Sequence, residues 1–269
     1  MLDITIGQYY PGKSILHQAD PRTKLLAVII YIIALFSFGG GWGIIPSILF
    51  LFVGYALAKI PVKLVFKSIK PMIPIILFTA ILNLFFVEGT PVFTLGFISI
   101  SEEGIVYAIR MVLRFICLIA ATSLLTYTTT PIALTDAIEL LLGPLKKIHV
   151  PVHELAMMMT IALRFIPLLV DETNKIMNAQ KARGADLESG GIVQRSKAMI
   201  PILVPLFVSA FRRAEELAMA MECRCYHGDE GRTRMKVLKM TSADLFVWIG
   251  MALFCVVTYF ASTVTFSVF

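Results

Sequence analysis

The sequence predicts an all-α polytopic membrane protein. Of its 269 residues, 58% are hydrophobic and only 16% are charged, with a mean hydropathy of +0.82; soluble domains carry about 25% charged residues. Apolar stretches approaching the roughly 20 residues that cross a hydrocarbon core recur along the chain. One long, more polar segment has helical periodicity instead. We therefore expect about five transmembrane helices and a long cytoplasmic-side hairpin of two helices.

Five stretches are predicted to span the membrane, and the first is expected to begin near Pro21. They are Leu25 to Phe38, Trp42 to Ile60, Pro71 to Val87, Gly104 to Tyr127 and Ala243 to Thr263. This pattern predicts three regions: an N-terminal membrane region with four helices over residues 1–130, a cytoplasmic-side region over 131–240, and a C-terminal transmembrane helix over 241–269.

The charged residues predict the orientation. The loop at 39–41 has no charge, and the loop at 88–103 has three acids and no base, so both are predicted to face outward. The opposite loops are rich in Lys and Arg, as cytoplasmic loops are. The N-terminus is therefore predicted to be cytoplasmic, the C-terminus external, and the protein multi-pass in the plasma membrane. This topology explains the net charge of +6 without nucleic-acid binding.

Two short segments border the predicted spans. Residues 91–101 have a strand-like pattern and predict a small outer hairpin with Gly96 at its turn. Residues 61–70 combine apolar residues with lysines in an amphipathic pattern, and they are predicted to lie at the cytoplasmic membrane surface.

The cysteines predict neither a disulfide nor a metal site. Cys117 and Cys255 fall in predicted spans, and Cys223 and Cys225 fall on the cytoplasmic side, where disulfides are disfavoured. Cys223, Cys225 and His227 offer three metal ligands but lack a fourth at structural-zinc spacing.

The segment 131–240 is too polar to span cleanly and too apolar for a free cytoplasmic domain, so it is expected to lie partly in the membrane. Apolar or small residues recur at steps of three and four along two stretches, which is the pattern of one helical face. The first stretch leads to Arg183 and the second to Arg224, with Gly184, Gly190 and Gly191 between them. This pattern predicts a helical hairpin whose arms bend at three prolines. These prolines are Pro167, Pro201 and Pro205.

The same segment resembles the transmembrane T component of energy-coupling factor (ECF) transporters. The span count, the helical hairpin and the chain length agree with that family across nearly all of the chain. The motifs that carry the resemblance are Phe165-Ile166-Pro167, Asp171-Glu172, Gln180 to Ala185, Ala220 to Tyr226, and Gly231-Arg232-Thr233.

The resemblance implies a scaffold that couples energy in an ATP-driven importer of the ABC type. Such a subunit joins two cytoplasmic ABC-type ATPases to a separate small substrate-binding membrane subunit, exchangeable in a shared system, for uptake of vitamins or other micronutrients. It has no cofactor of its own, because the ATPases bind the ATP. A shared, vitamin-serving system is favoured by Glu222 to Tyr226 and Gly231 to Thr233; a dedicated cobalt or nickel system is the alternative.

In this family the two hairpin helices are coupling helices, and their arginine motifs insert into grooves on the ATPases. The resemblance assigns ATPase docking to Ala182, Arg183 and Gly184 and to Cys223, Arg224 and Cys225. The first motif matches the family's Ala-Arg-Gly form, whereas cysteines flank the second arginine. A guanidinium can hold a carboxylate with two hydrogen bonds. The competing interpretation is that both arginines are ordinary solvated cations at helix C-termini.

Two other classes of protein compete with this interpretation. A self-contained channel or carrier would use the arginines in apolar runs, Arg110, Arg114 and Arg164, to line its path. A membrane-embedded enzyme would need paired carboxylates, a metal-binding helix or an activated nucleophile, and no such pattern occurs. The chain also has no Gly-x-x-x-x-Gly-Lys-Ser/Thr phosphate-binding loop, so we expect no intrinsic ATPase activity.

Overall fold

The computed structural model describes residues 9–38, 43–87, 90–95, 98–185, 191–228 and 238–266. These form two compact units, which we call the bundle unit (residues 8–137 and 237–269) and the arm unit (residues 1–7 and 138–236). The bundle unit contains the helices around one apolar core, and the arm unit contains two long helices. Both are almost entirely helical, which confirms the predicted all-α class.

The bundle unit is built from seven helices and one strand pair. The helices are α1 (Ile15–Gln18), α2 (Pro21–Phe38), α3 (Ile44–Ala58), α4 (Val62–Ile69), α5 (Ile73–Phe86), α6 (Glu102–Thr128) and α10 (Ser242–Phe266). A 3-10 turn, Lys70–Met72, joins α4 to α5. The next helix, α7 (Pro131–Leu142), contains the boundary between the units.

Long-range contacts show that α2 and α6 run antiparallel and that α2 and α10 run parallel. The Lys24 Nζ at the start of α2 donates to the Thr128 carbonyl at the end of α6, at 3.0 Å. The Phe38 ring at the end of α2 lies 5.7 Å from the Tyr259 ring, late in α10. The starts of α2 and α10 and the end of α6 therefore share one end of the bundle, as the predicted topology requires.

Small and aromatic residues form the core where α2, α3, α6 and α10 meet. Tyr31 stacks on Phe254 at 5.2 Å between ring centroids and donates its hydroxyl to the Ser47 carbonyl. On α3, Gly54 packs so closely on α6 that an added Cβ would lie 3.2 Å from the Leu124 Cδ2. The missing Cβ of Gly54 therefore lets α3 pack closely against α6.

A buried polar cluster ties the starts of α2 and α10 together. The Asp244 carboxylate accepts hydrogen bonds from two backbone N–H groups, that of Asp20 at 2.7 Å and that of Thr241 at 2.6 Å. Asp20 in turn accepts from the Arg22 N–H, in the manner of a helix N-cap. Asp20 and Asp244 are 4% and 2% exposed, so the bond between them lies away from water.

Five helices in the described residues are long and apolar enough to span a membrane, as predicted, but one of the five differs from the prediction. The predicted span from Trp42 to Ile60 forms the 15-residue helix α3, because Lys59 adopts a left-handed conformation before Pro61 and ends it. The fifth helix that is long and apolar enough to span is instead α8 (Val152–Ala182), in the arm unit. The span predicted from Pro71 also begins earlier, as a continuous helical run over Val62–Phe86.

The predicted hairpin is confirmed as a pair of strands. Strands β1 (Pro91–Leu95) and β2 (Ile98–Ser101) pair antiparallel, with Leu95 opposite Ile98 and a register shift between Pro91 and Phe93. Gly96, the predicted turn residue, lies outside the described residues.

The arm unit consists of a 3-10 turn, Gly143–Ile148, followed by two 31-residue helices, α8 (Val152–Ala182) and α9 (Ile192–Glu222). Both helices continue through their prolines, each of which removes one intrahelical hydrogen bond. Near the start of α8, the His153 Nδ1 lies 2.9 Å from the Glu139 Oε1.

Candidate functional site

The first arginine motif forms the C-terminal end of α8. The Ala185 N–H donates to the Gln180 carbonyl and the Gly184 N–H donates to the Lys181 carbonyl, both at 3.0 Å. These two bonds define a Schellman motif. Gly184 occupies its left-handed position with φ of +85°, and Arg183 is the capping residue immediately before it.

The second arginine motif ends α9 in the same way. The Tyr226 N–H donates to the Met221 carbonyl at 3.1 Å and the Cys225 N–H donates to the Glu222 carbonyl at 2.8 Å. Here Cys225 takes the left-handed position, with φ of +54°. Arg224 therefore occupies the capping position that Arg183 occupies in α8.

The two motifs thus present an arginine in equivalent backbone settings, although their flanking residues differ. All six predicted docking residues are exposed. Among the described residues, neither the Arg183 nor the Arg224 guanidinium has a hydrogen-bond or ion-pair partner. A guanidinium has five N–H donors, so each arginine retains its full capacity to bind an acceptor on another protein.

The antiparallel pairing of α8 and α9 places the two arginines at opposite ends of the helix pair. The Arg213 Nη2 lies 3.3 Å from the Glu172 Oε2, and the Gln180 Nε2 donates to the Pro201 carbonyl at 3.3 Å. Arg183 therefore lies near the start of α9, whereas Arg224 lies at its end. The 31 residues of α9 separate the motifs by up to about 45 Å.

Both arm helices expose large apolar side chains. Within the described residues of the arm helices, Val152, Ala156 and Ile202 are the buried hydrophobic residues. The predicted stripes are only partly buried: Leu155, Met158, Met199 and Leu203 are all more than 40% exposed. The exposed side chains on α8 and α9 also include Met159, Ile166, Leu168, Ile200, Val204, Phe207, Val208, Phe211 and Met219. This surface requires lipid or a protein partner.

The cysteines beside Arg224 are free and exposed. The His227 Nδ1 lies 2.8 Å from the Cys225 carbonyl oxygen, a local contact that orients the ring. In the described part of the chain, no group of three or more His, Cys, Asp or Glu residues is arranged to hold a metal ion.

The arginines in apolar runs are not gathered into one site. In α6, the Arg114 Cζ lies 5.2 Å from the Phe36 ring centroid and the Arg110 Cζ lies 6.0 Å from that of Tyr107, both at cation–π distance. Arg164 belongs to the arm unit and is exposed. Neither Arg110 nor Arg114 forms an ion pair with Glu102, and Glu88 lies outside the described residues.

Sequence reasoning missed the buried cluster at the starts of α2 and α10. A local signal was present, because Asp20 precedes Pro21 and Thr241 stands three residues before Asp244, both of which are patterns of helix N-termini. The contact between the two starts joins residues 224 positions apart, and no local pattern encodes it.

Comparison with known proteins places this architecture in a family. Residues 12–236 match the family model described as "Cobalt transport protein". The chain is 58% identical over 245 residues to the energy-coupling factor transporter transmembrane protein EcfT of Ruminiclostridium cellulolyticum, covering 91% of this chain and 92% of the relative. It is 47% identical over 262 residues to the EcfT of Bacillus subtilis, covering 97% and 99%.

These relatives are named as transporter components rather than enzymes, and the matches cover nearly the whole chain. The chain belongs to the family of energy-coupling factor transporter transmembrane proteins, the T components of ECF transporters.

Proposed function

We propose that this chain is the scaffold and energy-coupling subunit of an ECF-type importer, in which it joins two cytoplasmic ABC-type ATPases to a separate substrate-binding membrane subunit. The observation that carries the proposal is the pair of exposed arginines, without a side-chain partner among the described residues, in matching Schellman motifs at opposite ends of the α8–α9 pair. Two docking points separated by up to about 45 Å suit two ATPase subunits better than one.

At each docking point the guanidinium would donate two hydrogen bonds to a carboxylate in a groove of the ATPase. Ala182 and Gly184 beside Arg183 are small enough to let the backbone approach the groove wall. The pair would be desolvated on docking, so removal of the arginine would leave a buried, unpaired carboxylate, which costs about 2 to 5 kcal/mol. Loss of assembly is therefore expected, rather than only slower transport.

ATP would bind to and be hydrolysed by the ATPases, and the T component would need no cofactor. Closure of the ATPase pair would move the two arginine-bearing ends, and α8 and α9 would pass that motion to the substrate-binding subunit. The exposed apolar side chains of the two arms would cover part of that subunit and the surrounding lipid. The N-terminus and the arm unit would be on the cytoplasmic side of the plasma membrane.

The test is co-purification of the tagged chain with its two ATPases after Arg183→Glu, Arg224→Glu and the double substitution. Arg212→Glu is the matched control, because Arg212 is also exposed on α9 and the charge change is the same. We expect the double variant to insert normally but to recover neither ATPase, and the control to recover both. Full recovery by the double variant would show that the arginines are solvated helix ends.

A second candidate is a T component dedicated to cobalt or nickel, favoured by the description of the matching family model. The near full-length relatives, whose names specify no metal, favour the shared, vitamin-serving type. Co-purification of the chain from its native membrane distinguishes the two: several different substrate-binding subunits indicate a shared system, and a single one indicates a dedicated system.

A further inference from the structure

Helix α4 and the first residue of the 3-10 turn that follows it display three lysines on one face. Lys63, Lys67 and Lys70 are spaced four and three residues apart, which places them on a single stripe of the helix. All three are exposed, and none has a hydrogen bond or ion pair within the described residues. No Asp or Glu occurs between Asp20 and Glu88, so no acid of the neighbouring sequence compensates these charges.

The opposite face of α4 is fixed to the bundle. The Ser68 Oγ lies 2.6 Å from the Tyr127 hydroxyl oxygen, and that hydroxyl also donates to the Leu64 carbonyl at 3.1 Å. Leu64 and Val65 pack against the core. Because these contacts prevent rotation of the helix, the lysine stripe is held facing away from the bundle.

Large apolar side chains are exposed beside the lysines. Val62 and Phe66 are 61% and 69% exposed, and Phe66 lies one position from Lys67. A helix with exposed apolar residues next to a cationic stripe has the composition of an interfacial membrane helix. An acidic protein partner would account for the lysines but gives no specific role to Phe66.

The length of the helical run places this face at the level of the lipid headgroups. Val62–Phe86 is a continuous run of 25 residues, about 38 Å long, and the hydrocarbon core is about 30 Å thick. With Phe86 at one boundary of the core, the other boundary falls near Phe66. Lys63 then lies in the headgroup layer, and Lys67 and Lys70 lie within reach of it through their flexible side chains.

We propose that the exposed face of α4 is a binding surface for anionic phospholipid. Lys63, Lys67 and Lys70 contact headgroup phosphates, and Phe66 inserts among the first acyl carbons. The lysine charges attract anionic headgroups over zwitterionic ones, which carry no net charge. This surface is independent of the arginine motifs and of the proposed ATPase docking.

The test measures lipid selectivity directly at α4 in the full chain. A tryptophan is introduced by Phe66→Trp after the native tryptophans are removed by Trp42→Phe and Trp248→Phe. The protein is reconstituted in mixtures of phosphatidylcholine with phosphatidylglycerol, one of the two lipids carrying brominated chains that quench nearby tryptophan. The quenching curves give the binding constant of the anionic lipid relative to the zwitterionic one at this position.

We expect the anionic lipid to be preferred roughly fivefold at low salt, because three lysines attract an anionic surface strongly enough to give at least this factor. The preference should fall in 1 M salt, which screens the charges. In Lys63→Gln/Lys67→Gln/Lys70→Gln the ratio should drop to about one. The control Lys147→Gln/Lys175→Gln/Lys197→Gln removes the same charge from exposed arm-unit positions and should keep the preference.

Two results would overturn the proposal. An unchanged preference in the α4 triple variant would show that these lysines do not select the lipid. An absence of quenching by either brominated lipid would show that this face does not contact the bilayer and would favour a protein partner.

Discussion

At the scale of single residues, the two arginine motifs are alike in backbone rather than in sequence. Gly184 and Cys225 occupy the same left-handed position, and Arg183 and Arg224 precede them. Glycine adopts this conformation without strain, whereas an L-residue with a side chain loses roughly 1–2 kcal/mol. The cysteine at the second motif therefore weakens the local helix end without changing its geometry.

Exchanging these residue types should change the stability of each helix end in opposite directions. A Cβ added at Gly184 would meet no atom within 4 Å, so Gly184→Ala introduces conformational strain only. We expect it to speed hydrogen exchange of the Ala185 amide about five- to thirtyfold. This factor corresponds to the roughly 1–2 kcal/mol that a left-handed conformation costs an L-residue. Cys225→Gly should slow exchange of the Tyr226 amide by a similar factor. Residue-resolved hydrogen exchange by mass spectrometry measures both.

Cys223→Ser is the control for the second motif, because Cys223 has right-handed helical angles, with φ of −59°, and is exposed. Its substitution should leave the Tyr226 amide unchanged. Equal exchange in Cys225→Gly and in the parent protein would contradict a strained Cys225.

At the scale of elements, the helix starts are where the bundle is joined. One carboxylate, that of Asp244, accepts from the backbone of its own helix and from the backbone at the start of α2. The Asp20 N–H would be unsatisfied without it, because that bond is buried. The arrangement explains how α2 and α10, which are far apart in the sequence, keep a common end.

Asp244→Ala should therefore destabilise the bundle unit strongly. Hydrogen bonds to a charged group contribute about 1.5–3 kcal/mol each, so the loss of two should cost about 3 kcal/mol or more. In a chain of this size that lowers Tm by roughly 6–12 °C, measurable by thermal unfolding in detergent. Asp244→Asn keeps one acceptor oxygen and should lose about half as much.

Ser242→Ala tests whether the effect belongs to the carboxylate rather than to the helix start in general. Ser242 is exposed at the same end of α10, and its substitution should leave Tm almost unchanged. A similar Tm for Asp244→Ala and Ser242→Ala would rule out the role assigned to the cluster.

At the scale of the whole molecule, charge follows the two ends of the bundle unit. Arg22, Lys24 and the α4 lysines lie at the end where α2 begins and α6 finishes. Glu102 and Glu103 begin α6 at the other end, and Glu103 accepts a hydrogen bond from the Thr90 N–H at 2.8 Å. Basic residues concentrate on the cytoplasmic side of membrane proteins, so this asymmetry predicts the direction of insertion.

Cysteine labelling in intact cells checks that direction. In a background without the four native cysteines, Thr90→Cys and Lys13→Cys place single thiols at exposed positions near opposite ends. A membrane-impermeant maleimide should label the cysteine at position 90 in intact cells and the one at position 13 only after permeabilisation. The reverse pattern would show that the bundle unit has the opposite orientation in the membrane.

Much of the fold was predictable because it depends on contiguous residues. Apolar stretches of 14–24 residues predicted the bundle helices, and helical periodicity leading to Arg183 and Arg224 predicted the two arms and located the candidate site. The strand pattern of residues 91–101 predicted the outer hairpin. Their boundaries were less predictable: α3 ends at Ala58 and α4 runs on into α5, because hydropathy alone does not fix where a helix stops or continues.

The membrane class, the helix content, the charge asymmetry and the two arginine motifs can be read from the sequence, since each follows from local composition and spacing. Only the packed structure shows that Asp244 joins α10 to α2, that Tyr127 holds α4 with its lysines outward, and that the arms place their arginines at opposite ends. Each of these depends on contacts between residues distant in the chain, whose geometry arises only when the helices pack.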